Sequence, residues 1–186
     1  MITSKDRSYY IGGSDTPFVI GNWSTKSFDK WYATKQGLYS MDFNNDAMRT
    51  GTAYEHKILE ALKIPGMQMD RQVIKGRLRV NLDGSTHDTI YEVKTTIKKL
   101  VKVPWEHINQ VNVEMYAFDY RKAFIAFYEV TEAEYKNYYL DIDPDRITLM
   151  QVVYDEEFIN HIYLPRFNYL SDCLDRGAWP CMSWRE

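Results

Sequence analysis

The residues best suited to chemistry fall in one stretch, Val80 to Thr96. It holds an acid, Asp83, beside Gly84, and nine positions after Asp83 the triplet Glu92-Val93-Lys94 begins. Apolar residues flank both, and the polar segment Ser85-Thr86-His87-Asp88-Thr89 separates them, so the stretch predicts two short strands joined by a turn near His87 and Asp88. Side chains alternate along a strand, which puts Glu92 and Lys94 on one face and Tyr91, Val93 and Thr95 on the other. Folding about that turn leaves Asp83 opposite Glu92, with Cβ atoms roughly 4.5–5.5 Å apart. Two carboxylates at that spacing repel unless a cation sits between them. Hard divalent ions held by carboxylate oxygens, with a lysine alongside, resolve the repulsion.

Other elements must position this hairpin. Ser14 or Asp15 predicts an N-cap for the segment Thr16 to Ile20, with Pro17 in its first turn. An exposed helix start bearing a serine is also an anion site. Ser27 is expected to cap a second helix running through Phe28, Trp31, Tyr32 and Leu38, with Gly37 near its end. The strongest helical pattern is Asp46 to Ile64, where Tyr54, Ile58, Leu59, Ala61 and Leu62 mark a buried face and Pro65-Gly66 closes the element. Within it, Gly51 is a poor helix residue whose missing side chain permits close approach of another backbone or a ligand. Glu55 lies at the edge of the apolar stripe. From this helix alone it reads as a solvent-facing acid, although it is able to reach inward.

Met67 to Ile74 and Arg77 to Leu82 read as strands leading into the hairpin. Pro104 opens a helix from Trp105 to Phe118 with Ile108, Val111, Met115 and Phe118 as its core face, while Gln110 and Glu114 sit one turn apart on a neighbouring face. Lys122 to Val130 is an apolar and aromatic run typical of a strand covered on both sides. Ile147 to Tyr154 supplies another strand, and Asp155 to Arg176 a closing helix interrupted or bent at Pro165. This order predicts an α/β sandwich with a mixed central sheet.

The 186 residues carry a formal net charge of -3 and are 45% hydrophobic and 15% aromatic, with only 9 Gly and 6 Pro, which suits one domain, 1–186, with a full core. Met1 to Arg7 lack an apolar signal segment and no run of about 18 apolar residues occurs, so an intracellular protein without a membrane span is expected. Two cysteines, Cys173 and Cys181, are too few for a disulfide framework, an iron–sulfur cluster or a four-cysteine zinc site. Lys94, Lys98, Lys99 and Lys102 form a basic stretch without acids, whereas Glu129 to Glu157 reads as a solvated acidic face.

Taken together, these pieces resemble the PD-(D/E)xK nuclease superfamily, and within it the phage lambda exonuclease and YqaJ-type viral recombinase family. The resemblance rests on Leu82-Asp83-Gly84 followed by Tyr91-Glu92-Val93-Lys94. In family order around these stand Arg7 before Gly13-Ser14-Asp15, then Arg49-Thr50-Gly51 with Tyr54-Glu55, then Gln110 with Met115, and Trp184-Arg185 at the tail. Leu82 stands where a proline is common. The resemblance implies a restriction-endonuclease-like core, a mixed central sheet flanked by helices. It also implies a metal-dependent DNA exonuclease acting on linear double-stranded ends, 5′ to 3′, leaving 3′ single-stranded overhangs for phage recombination by single-strand annealing.

It further implies that Asp83, Glu92, Glu55 and the carbonyl of Val93 bind Mg²⁺ or Mn²⁺, as two ions. Lys94 would orient and help deprotonate the attacking water, a task that needs its pKa lowered by metal and partial burial. Gln110 would support Lys94 or the water. Arg7 and Ser14 would capture a 5′-phosphate, and Arg49, Lys98, Lys99 and Lys102 would contact DNA without sequence preference. The implied setting is the cytoplasm of a phage-infected or prophage-carrying bacterial host, with a homotrimer and a single-strand annealing protein as partners.

Among the rest, His56, His87, His107 and His161 show no paired metal-ligand spacing. Trp23 and Trp105 are candidates to stack on an unpaired base. Two rival readings stay open: an endonuclease of the same superfamily, structure-specific or restriction-type, and a non-catalytic DNA-end-binding module. The joint presence of Glu55, Asp83, Glu92, Lys94 and Gln110 argues for chemistry over the module.

Overall fold

Five strands form one sheet in chain order: β1 (Gln68–Lys75), β2 (Leu78–Ser85), β3 (Thr89–Thr96), β4 (Lys122–Glu129) and β5 (Ile147–Val153). These come from a computed structural model that describes residues 8–39, 46–137 and 140–181, with backbone alone at 46–50 and 136. Arg7, Trp184 and Arg185 lie outside the described residues. All neighbouring strands are antiparallel except β3 and β4, which run parallel. A parallel pair needs a crossover, usually a helix. Helices α1 (Thr16–Ile20), α2 (Lys26–Lys35) and α3 (Asp46–Ala61) precede the sheet. Then α4 (Trp105–Phe118) makes the β3-to-β4 crossover, α5 (Glu132–Lys136) follows β4, and α6 (Leu164–Asp175) closes the order. The mixed sheet flanked by helices is the arrangement that the alternating patterns predict.

Each face of the sheet buries its own core. On one, Leu78, Val80 and Leu82 of β2, Ile90 of β3 and Ala123, Ile125 and Phe127 of β4 pack with residues of α1, α2, α4 and α6. On the other, Tyr54, Ile58 and Leu59 of α3 cover Tyr91, Val93, Ala126 and Tyr128. The β4 run is therefore apolar on both sides because both sides are covered. In β3, Ile90 belongs to the first core and Tyr91 and Val93 to the second. By alternation Glu92 and Lys94 then point to the side of α4.

Three local expectations change. Thr25, not Ser27, caps α2: its extended backbone brings Oγ1 to the Phe28 amide at 3.1 Å, so the helix starts earlier and Ser27 falls inside it. The closing helix is interrupted ahead of Pro165 rather than at it. The backbone stays helical from Glu156 to Asp175, but Phe158–Tyr163 is a π-helical stretch, and Pro165 falls in the first turn of the α-helical part, α6. The acidic stretch after β4 is not wholly solvated. Glu134 is 3% exposed and takes two bonds from Arg146, at 2.7 and 2.6 Å, while the Tyr128 hydroxyl and the Thr131 amide also donate to it.

Those bonds, Arg146 first, hold the Glu134 carboxyl down at about 2 against the opposing effect of burial. A carboxylate held below its unfolded value stabilises the fold above that value and loses the contribution as the pH falls through the folded one. The depression corresponds to about 3 kcal/mol. Urea unfolding of wild type and Glu134→Gln should show a stability gap of that order at neutral pH which closes between roughly pH 5 and pH 2. A gap independent of pH would contradict the Arg146 assignment.

Candidate active site

The hairpin turns where the spacing predicts. The Thr86 amide donates to the Thr89 carbonyl at 2.9 Å, Ser85 pairs with Ile90, and Gly84 pairs with Tyr91. The ladder bonds end there, although the same register continued one residue sets Asp83 opposite Glu92, as the spacing predicts. Asp83 Oδ2 instead accepts the Val93 amide at 2.8 Å. The cause is a break in the alternation of β2. Leu82 lies in the first core, yet Gly84, two residues on, packs against Leu59 of the second. Beside the break, Asp70 of β1 sits between the pairs Met69↔Gly84 and Arg71↔Leu82 with a left-handed φ of 55°, uncommon for a non-glycine residue. The carboxylate of Asp83 thus fills the gap between β2 and β3.

Gly84 brings α3 onto this hairpin. A Cβ there would lie 2.9 Å from both Leu59 Cδ2 and Met67 Sδ, closer than any side chain tolerates. Gly51, expected to permit a close approach, would meet only Thr95 Oγ1 at 3.8 Å, an ordinary contact. The tight approach is therefore on the strand, not on the helix. Glu55 lies one turn before Leu59 on α3 and is half-buried rather than solvent-facing. Gly84→Val should cost about 1–3 kcal/mol by overpacking against buried Leu59, checked by chemical denaturation.

The carboxylates electrostatically burden one another. Burial, followed by the charges of Glu92 and Glu55, raises the Asp83 carboxyl well above its ordinary value, with the Val93 amide and Lys94 opposing. Burial and then Glu92 raise Glu55, while His56 and a hydrogen bond with Asp83 oppose. On its outer side Glu55 also approaches His56 and Asp70, the ligand atoms of all three lying within 4.8 Å of one another, with His56 Nε2 and Asp70 Oδ2 3.1 Å apart. Sequence spacing hid this grouping because Asp70 arrives from β1.

A chain of hydrogen bonds runs across the α4 side. Lys94 Nζ donates to Glu92 Oε1 at 2.7 Å, and Gln110 Nε2 donates to the same oxygen at 2.8 Å. Gln110 Nε2 also donates to Glu114 Oε1 at 2.8 Å. The lowered pKa expected of Lys94 rests on a bound metal as well as burial, and the protein groups by themselves act in the other direction. Burial pulls it down, but the charge and hydrogen bond of Glu92, with Glu114 and Asp83, outweigh burial and hold it above the ordinary lysine value. Lys94 is here the counter-charge of the carboxylates. Burial, then Lys94, lowers the His107 imidazole beside them.

Glu114 is the residue that sequence reasoning noted but gave no role. It is 2% exposed, its carboxyl is raised well above the ordinary range by burial and then Glu92, and Oε2 has no hydrogen-bond partner among the described residues. The usable signal was its i, i+4 spacing from Gln110 inside an otherwise apolar run.

The donor set of Glu55, Asp83 and Glu92 consists of carboxylate oxygens, crowded enough that Glu55 and Asp83 are both raised, with the ammonium of Lys94 bonded to Glu92. That chemistry fits a hard divalent ion such as Mg²⁺ or Mn²⁺. The side chain of Val93 faces the second core and its amide is taken by Asp83, leaving the carbonyl as the group available from that residue.

The expected DNA-facing residues are placed as follows. Ser14 is exposed on a 3₁₀ turn, Gly13–Asp15, that leads into α1. Asp15 does not cap α1 through its side chain. Its carboxylate accepts the Gly12 amide at 2.8 Å and Trp31 Nε1 at 2.9 Å and pairs with Lys35 at 2.7 Å. Lys98, Lys99 and Lys102 are exposed on the loop from β3 to α4, which Leu100 and Val103 anchor to the first core. Arg49 lies on α3 where only backbone is described, and Arg7 lies outside the described residues. Trp105 is 57% exposed at the start of α4, but Trp23 is 1% exposed and stacked on Phe28 and Tyr169, so it cannot meet a base.

No protein-family model matches the chain, and no curated protein matches its sequence. Solved structures do. An alkaline exonuclease from Laribacter hongkongensis superposes with a TM-score of 0.67 at 14% identity, over 94% of this chain and 95% of that one. The chain has the fold of this exonuclease. The same protein in complex with dAMP gives a TM-score of 0.67 at 14% identity, over 94% of each chain. A phage-related exonuclease from Haemophilus somnus 129PT gives 0.63 at 13% identity, over 94% of this chain and 100% of that one. Among the described residues, no helix is long and apolar enough to cross a membrane.

Proposed function

We propose that the chain is a divalent-metal-dependent exonuclease that degrades one strand of linear double-stranded DNA from its 5′ end. The observation that carries this reading is the convergence of Glu55, Asp83 and Glu92 from three elements, with Lys94 and Gln110 bonded to one oxygen of Glu92. The likeness to exonucleases over nearly the whole chain supports it.

Asp83, Glu92, Glu55 and the Val93 carbonyl are the proposed ligands of Mg²⁺ or Mn²⁺, in one or two ions. A bound ion would neutralise charge at the scissile phosphate and supply an acidified water. Lys94 and Gln110 fix Glu92, and the ammonium of Lys94 orients the attacking water. Ser14, with Arg7, takes the 5′-phosphate, and Lys98, Lys99, Lys102 and Arg49 hold the backbone through contacts that weaken with salt. Trp105 offers an exposed ring on which a freed base stacks. A mononucleotide such as the dAMP bound by the Laribacter enzyme is the product expected. The 3′ overhang left behind suits strand annealing, with a single-strand annealing protein as partner, a trimer as the assembly and a phage-bearing bacterial cytoplasm as the setting.

The test is digestion with Mg²⁺ or Mn²⁺ of linear duplex carrying a 5′-phosphate or a 5′-hydroxyl, beside closed circular duplex. Mononucleotide release from the phosphorylated linear substrate alone is expected. Equal attack on circles would replace the reading with an endonuclease, and no digestion of any substrate with DNA ends still bound would replace it with a binding module.

A further inference from the structure

We infer that Glu114 is a positioning residue, one that holds the Gln110 amide with its nitrogen turned onto Glu92. The inference rests on the proposed nuclease reading and extends it to a residue outside the metal ligands. A side-chain amide nitrogen carries two hydrogens, and both are used here: one bond goes to Glu92 Oε1 and one to Glu114 Oε1, each 2.8 Å long. Glu92 Oε1 and Glu114 Oε1 both accept in this arrangement, and an acceptor on either side of the amide selects nitrogen over oxygen at that position. Removal of Glu114 leaves one amide hydrogen unpaired and the side chain free to rotate.

The geometry around Glu114 restrains it in turn. Gly13 lies against it so closely that a Cβ there would sit 3.0 Å from Oε1 and 3.2 Å from Cγ. Any side chain at residue 13 would displace the carboxylate. The turn that bears exposed Ser14 thus backs directly onto the residue that orients Gln110. Structure alone does not call for an acid here. The neighbours Val111, Val113 and Met115 are buried, and Oε2 is a buried oxygen without a partner among the described residues, a feature that destabilises a fold. An apolar side chain of similar length would serve packing better.

That contrast gives the test. Glu114→Met should keep or raise the melting temperature, leave KM for linear duplex unchanged and lower kcat about 10–100-fold, the range for loss of a residue that orients a ligand. Glu114→Gln, which still offers an oxygen to Gln110, should retain kcat within about threefold. In a Gln110→Ala background the Glu114→Met change should add no further loss, since the residue it acts through is gone. Calorimetric titration with Mn²⁺ reads the same effect without turnover: affinity should drop about 10-fold or more in Glu114→Met and little in Glu114→Gln. If the wild type binds Mn²⁺ but cuts nothing, the nuclease reading fails while this titration still judges the positioning role. Unchanged kcat and Mn²⁺ affinity in Glu114→Met, or a full additional loss in the Gln110→Ala background, overturns the inference.

Discussion

Lys94→Ala lowers the rate of DNA cleavage about 100-fold or more and leaves the affinity for duplex ends within a few-fold. The ammonium is 2.7 Å from Glu92 Oε1, so its loss removes both a bond that orients Glu92 and the group proposed to orient the attacking water. Affinity for DNA survives because Lys98, Lys99 and Lys102 lie outside that network, exposed on the following loop. The alanine variant also strands Glu92, which is 4% exposed, and breaking a buried pair in this way costs about 3–5 kcal/mol. Lys94→Arg separates the two effects. Its guanidinium keeps a positive charge near Glu92 and preserves stability, but it does not give up a proton and does not reproduce the compact ammonium. Single-turnover cleavage, end binding in Ca²⁺ and thermal melting of both variants decide the matter. Cleavage by Lys94→Ala within tenfold of wild type would remove the lysine from the mechanism.

Asp83→Asn abolishes cleavage and, in chelator, makes the protein more stable than wild type. Asp83 is raised by burial and by the charges of Glu92 and Glu55, so its folded-state pKa lies above its unfolded value. A group of that kind binds protons more readily when folded, and stability falls as the pH rises from the unfolded value through the folded one. At pH 8, far above the unfolded value, wild type therefore carries a penalty for holding Asp83 in this site. Asparagine carries none, and its oxygen still accepts the Val93 amide that Asp83 Oδ2 holds at 2.8 Å. Each kcal/mol relieved raises the melting temperature by about 2–4 °C in a chain of this size. Mn²⁺ should stabilise wild type by mass action and the variant far less, closing or reversing the gap. Melting curves at pH 8 in chelator and in Mn²⁺ read both terms. An asparagine variant that is less stable in chelator, or that gains as much from Mn²⁺ as wild type, would contradict the placement of Asp83 among crowded acids.

Much of the site was legible because its parts are local. The turn between His87 and Asp88 follows from polar residues between apolar ones, and Glu92 and Lys94 share a face because strand periodicity leaves no alternative. The start of α4 at Pro104 and the position of Gln110 along it follow from helical spacing in the same way. What misled was also local. Gly51 looked like the point of close approach because glycine in a helix is unusual, yet Gly84, in a strand beside the acid, makes the contact. Trp23 looked available to DNA because it is aromatic and near a candidate anion site. It is instead stacked between Phe28 and Tyr169, a partner from the far end of the chain.

The sequence by itself determined the fold class, the hairpin and its turn, and the set of acids, lysine and glutamine that meet at one place. Periodicity and turn chemistry depend on neighbours in the chain, and those are written in order. The tertiary structure alone decided that Asp83 leaves the ladder to bind the Val93 amide, that Glu92 and Glu114 hold Lys94 as a counter-charge, and that Glu114 is sealed behind Gln110 and Gly13. Each of these depends on which charges and backbones from distant segments share a buried space, where interactions strengthen as water is excluded, and no spacing along the chain records that.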